Sequence, residues 1–90
     1  MTDLMPIIFR AERSGDFKGD VTAVFPTITE RAGFLTYAHI GQHSAGSLGW
    51  YRQTRAAKPA EYADLLRELR RIYEADGDCR LVVRQRMSRN

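Results

Sequence analysis

The sequence predicts a single α+β domain, a small antiparallel sheet of about four strands with one long helix packed on one face. Three observations carry this. Residues 4–10, 20–25, 33–40 and 79–87 are short β-branched and aromatic segments bounded by turn residues, which is the pattern of strands. Residues 59–75 repeat Tyr62, Leu65, Leu66, Leu69, Ile72 and Tyr73 at helical spacing, one apolar stripe on a polar helix. The chain has 90 residues, 43% hydrophobic and 28% charged, which suits one domain, residues 1–90, with an adequate but thin core.

Taken in order, the elements read β-β-β-(short α)-α-β. Residues 4–10 hold Ile7, Ile8 and Phe9, with Pro6 at the strand start, where no ladder donor is needed. Met5-Pro6 also resembles an original start and second residue. Residues 12–19 are polar, with Gly15 and Gly19, and read as a turn. Val21, Ala23 and Phe25 share one face of the next strand, which pairs back as a hairpin and stops at Pro26. Residues 33–40 are apolar on both alternating sets, as a central strand is.

In residues 41–58, Ser44 or Ser47 caps a short helix through Leu48, Trp50, Tyr51 and Thr54; a short strand over residues 50–54 is the alternative. Pro59 opens the long helix, with Glu61 and Asp64 early and Arg70 and Arg71 late, matching its dipole. Asp76-Gly77-Asp78 stops it. In the last strand Arg80, Val82, Arg84 and Arg86 share one face, and Cys79, Leu81, Val83, Gln85 and Met87 the other.

The formal net charge is +3, from 14 Lys and Arg against 11 Asp and Glu, and 12 of the basic residues are Arg. Residues 1–50 carry four basic and five acidic groups, residues 51–90 ten and six, so the excess lies in the second half. That bias is weaker than a dedicated nucleic-acid binder shows. The one cysteine, Cys79, excludes an internal disulfide and points to the cytoplasm. No apolar run reaches the roughly 18–20 residues of a membrane helix, and no signal peptide is evident at the N-terminus.

Three candidate sites follow. The first is the glycine-punctuated loop His39, Gly41, Gln42, His43 and Ser44, which holds both histidines of the chain. His39 and His43 with Cys79 are the only metal set on offer. In an extended strand, however, residues 39 and 43 lie about 13 Å apart, so they meet on one ion only if Gly41 bends the chain. No nucleophile motif, paired carboxylates or phosphate-binding glycine run is present, so catalysis is not expected and no cofactor is implied.

The second is the arginine strand. Arg80, Arg84 and Arg86 stand on one face, positions about 7 Å apart, near the phosphate repeat of a nucleic-acid backbone. Arg52, Arg55 and Lys58 extend the patch, and Trp50 and Tyr51 beside it suit base stacking. The third is the sheet face opposite the long helix, where Leu35, Tyr37 and Val82 invite a homodimer.

The runs Thr-Ala-Val-Phe-Pro, Leu-Thr-Tyr-Ala-His-Ile-Gly-Gln-His-Ser-Ala and Lys-Pro-Ala-Glu-Tyr-Ala-Asp-Leu-Leu-Arg-Glu-Leu resemble a group of small uncharacterised bacterial and phage (mobile-element) proteins. Tyr37-x-His39-x-Gly41-Gln42-His43 is the most specific part. The resemblance implies a job for this loop but no activity. The expectation is a non-catalytic domain that acts by binding, as a homodimer or with another protein. Polyanion binding through the arginine strand and a metal site at the two histidines are the alternatives.

Overall fold

Strand β1 (Asp3–Glu12) organises the fold because both of its faces are apolar. Ile7, Phe9 and Ala11 point one way and Ile8 the other, and all four are buried. A strand with two apolar faces must be covered twice. The computed structural model describes residues 3–16, 18–31, 33–38, 42–75, 77 and 79–86, with Gln42 and His43 described for the backbone only.

The architecture is α+β, as expected, with the 15-residue helix α2 (Pro59–Tyr73) across one face of the sheet. Leu65 and Leu69 of α2 share a core with Ile7, Phe9, Ala11, Ala23, Phe25, Tyr37 and Leu81. Phe9 stacks on Tyr62 at 4.3 Å between ring centres, and the Tyr37 hydroxyl donates to the Glu68 carboxylate. Glu61 closes the first turn of α2 by accepting from the Lys58 backbone N–H at 2.8 Å.

The sheet departs from the expected four strands: it has six among the described residues. From one edge the order is β4 (Gln42–Gly46), β3 (Gly33–Ala38), β2 (Val21–Glu30), β1. On its far side β1 is shared by two short strands. The antiparallel β5 (Thr54–Ala56) takes the Arg10–Glu12 end, and β6 (Cys79–Arg84) takes the Asp3–Ile8 end.

β2 runs through Pro26, the expected stop. Carried two residues past its last pair, Ile8 with Val24, the β1–β2 register sets Pro6 opposite Pro26. Neither has an N–H to give, so neither disrupts a ladder there, and a register shift between Phe25 and Thr29 absorbs the remainder.

β6 is parallel to β1, so the sheet is not purely antiparallel. The reason is length. β5 leaves the sheet level with Arg10. The 15 residues of α2 span about 22 Å, close to the roughly 23 Å of strand from Arg10 back to Asp3. The helix therefore returns the chain to the start of β1, and β6 runs alongside it. β6 ends at Arg84; Met87 of the expected strand and Asp76 and Asp78 of the expected stop lie outside the described residues.

The expected short helix is α1 (Leu48–Gln53), capped by Ser47, whose Oγ accepts from the Trp50 N–H at 3.1 Å. It covers part of the second face, where Trp50 and Tyr51 pack on Ile8, Val24 and Phe34. Among the described residues no helix is long and apolar enough to cross a membrane.

Candidate functional site

The segment singled out for its histidines falls on the β3–β4 hairpin. His39 and Gly41 lie outside the described residues. Gln42, His43 and Ser44, expected in a loop, are strand: β4 pairs antiparallel with β3, with His43 opposite Tyr37 and Ser44 opposite Thr36. The sequence Gln-His-Ser-Ala-Gly has little strand propensity. What makes it a strand is the unpaired edge of β3 beside it. Thr36 Oγ1 donates to the Ser44 carbonyl at 3.1 Å across this pair. Ser44 and Ala45 are exposed. On the α1 side of the hairpin, Thr22, Thr36, Ser44, Gly46, Ser47 and Trp50 line a shallow groove of about 480 Å³.

Cys79 starts β6, at the opposite edge of the sheet from His43, with β3, β2 and β1 between. Four strand spacings across the sheet amount to about 19 Å. Burial pushes the Cys79 thiol up from its ordinary range, and Glu74 and Asp3 push the same way. Among the described residues no group of three His, Cys, Asp or Glu side chains is placed to hold a metal ion.

The arginines separate by environment. Cys79, Leu81 and Val83 pack towards α2, so Arg80 and Arg84 stand on the opposite face with Val82 between them. Both are exposed, and neither forms an ion pair or hydrogen bond among the described residues. Across the register lie Leu4 beside Arg80, Pro6 beside Val82 and Ile8 beside Arg84. Leu4 is 66% exposed. Arg86 is exposed but stands in a bend past the strand end, so the expected three-rung ladder has two rungs.

Arg52 is exposed on α1, whereas Arg55 is committed elsewhere. It donates from both Nη atoms to the Glu61 carboxylate, at 2.8 and 2.6 Å. The Arg55 guanidinium, helped by the Lys58 N–H, holds the Glu61 carboxyl down at about 2. Arg55 lies opposite Ala11, on the α2 side of the sheet, away from Arg80 and Arg84.

The expected stacking aromatics are also occupied. Trp50 Nε1–H donates to Glu12 at 3.0 Å, and its ring lies 6.4 Å from Phe34. Tyr51 meets Phe34 edge-on at 6.3 Å and carries the Arg10 guanidinium 4.3 Å above its ring. Arg10 also donates to Thr54, to Oγ1 at 2.8 Å and to the carbonyl at 2.5 Å. Burial lowers its pKa from the ordinary arginine range. Sequence reasoning misses this polar knot under α1, made by Arg10, Glu12 and Thr54. Its signal is the alternation Ile8, Arg10, Glu12 against Phe9 and Ala11.

Leu35 and Tyr37, expected on the open face, turn towards α2; Tyr37 is 1% exposed. Of the three expected dimer residues only Val82 stands on the other face. What the fold leaves open is therefore its two sheet edges and the strip around Leu4, Val82, Arg80 and Arg84. Comparison with protein-family models, with curated proteins and with solved structures finds no match to this chain.

Proposed function

We propose that this chain is a non-catalytic interaction domain that associates with a second copy of itself by extending its sheet. One observation supports the reading: among the described residues the sheet is unpaired on the outer side of its edge strands. Among the described residues β4 is bonded to β3 alone, and β5 and β6 each to β1 alone. An edge strand presents a row of N–H and C=O groups that another strand can take up. In the cytoplasm, where we place the protein, Cys79 stays reduced and non-covalent pairing is what remains. Sedimentation equilibrium is expected to give twice the 10.3 kDa chain mass. A monomer at millimolar concentration overturns the reading.

A second reading, binding of nucleic acid or another polyanion, is favoured by Arg80 and Arg84, which share a face and are not neutralised among the described residues. It has lost Arg55 and the stacking aromatics, and it retains Arg52, Arg80, Arg84 and the exposed Arg86. Retention on DNA is then expected to fall with salt. Arg84→Glu should flatten the plot of log affinity against log salt by about 0.9 for each lost phosphate contact. Unchanged retention of Arg84→Glu on DNA removes this reading.

A further inference from the structure

We infer that β4, not β6, is the strand through which two copies join, antiparallel and centred on Ser44. The inference rests on the self-association reading above and assigns its contact. The two sheet edges differ in charge, and charge decides which of them a second copy can occupy. When two identical strands pair antiparallel about a two-fold axis, each residue faces the one mirrored about the residue on the axis. β6 has six residues and so two such registers: with the axis at Val82, Arg80 faces Arg84 of the second copy, twice, and with the axis at Leu81, Arg80 lies diagonal to Arg80 of the second copy. Like charges directly opposite on one face oppose pairing. Charged edge strands are a standard guard against it.

β4 carries no such guard. Its residues are Gln42, His43, Ser44, Ala45 and Gly46, with no Lys, Arg, Asp, Glu or Pro. The same construction sets Ser44 opposite Ser44 of the second copy, His43 opposite Ala45, and Gln42 opposite Gly46. No pair joins two formal charges of one sign. The two-fold axis of such a pair stands perpendicular to the sheet, so both copies of α2 lie on the same side and one continuous sheet results. Room exists on both faces of the strand. The groove of about 480 Å³ flanks Ser44 on the α1 side, and another of about 420 Å³, lined by Glu30, Arg31, Leu35 and Ala45, flanks it on the other.

The test uses the dyad itself. Ser44 is exposed, so Ser44→Lys and Ser44→Glu leave the fold intact, and each places two like charges face to face at the axis. Each variant alone is expected to self-associate about tenfold or more weakly than the parent chain in sedimentation velocity. Mixed in equal amounts, the two are expected to recover the dimer, because the introduced ammonium of one copy then faces the introduced carboxylate of the other. Val82→Lys, between Arg80 and Arg84 on β6, is expected to leave the dimer unchanged. If both Ser44 variants remain as dimeric as the parent, the β4 assignment is overturned while the self-association reading stands. Two monomeric variants that fail to recover on mixing also overturn it. A parent chain that is itself monomeric removes both.

Discussion

Gly33→Ala is expected to cost about 3 kcal/mol of folding stability, a large part of the roughly 5–15 kcal/mol that holds a domain of this size. A Cβ on Gly33 would lie 1.8 Å from the Gly46 carbonyl oxygen and 2.9 Å from its carbonyl carbon, with the Ser47 Cα at 3.4 Å. All three are backbone atoms, so no rotamer change relieves the clash. β3 and β4 must separate where Phe34 pairs with Gly46, just before Ser47 caps α1. Gly46→Ala is the internal comparison. Its Cβ would meet the Phe34 ring and the Thr36 methyl at 2.7 Å, a longer approach and to side chains rather than backbone, so its cost is expected to be smaller. Urea unfolding followed by the single tryptophan, Trp50, measures both. Equal midpoints for Gly33→Ala and the parent would refute the close approach of the two strands.

Leu69→Ala is expected to cost about 3 kcal/mol, with no rescue from local repacking. Leu69 is fully buried, in the cluster that joins α2 to β1, β2, β3 and β6. It therefore sits on the one helix that holds the parallel strand in place. Ile72, on the same predicted stripe, is 50% exposed. Ile72→Ala is expected to stay within about 0.5 kcal/mol of the parent chain. The pair separates burial from helix propensity, since both substitutions put the best helix former on α2. Similar losses at the two positions would mean that the packing of α2 on the sheet is wrong.

Much of the frame was legible. The stripe from Tyr62 to Tyr73, Pro59 at its start and the charges at its ends all report on a helix whose own sequence encodes its length and apolar side. The alternations around Ile7, Val21, Leu35 and Leu81 are equally local. The misses have one cause. β4 is a strand because β3 offers it a bonded edge, and β5 because β1 does; neither Gln-His-Ser-Ala-Gly nor Thr-Arg-Ala has a strand pattern of its own. Pro26 reads as a stop in isolation and is harmless where no ladder donor is required.

For the candidate site the balance is less even. The histidine pair draws attention by its spacing, yet what the fold adds there is an edge strand that, among the described residues, is bonded to β3 alone. The arginine strand was legible as a pattern. That Arg80 and Arg84 remain exposed while Arg55 is bound to Glu61 was not, because ion pairing joins residues from separate elements.

The sequence by itself determined the composition of the elements: one amphipathic helix, a strand with two apolar faces, and a basic last strand. Periodicity of 3.6 or 2 is written residue by residue, and burial of the matching side chains enforces it. Only the tertiary structure decided which strands are neighbours, that β6 runs parallel to β1, and which edges stay open. Those outcomes depend on distances between elements. The most telling is the match between the length of α2 and the span of β1, which sets where β6 begins and leaves β4 alone at the far edge.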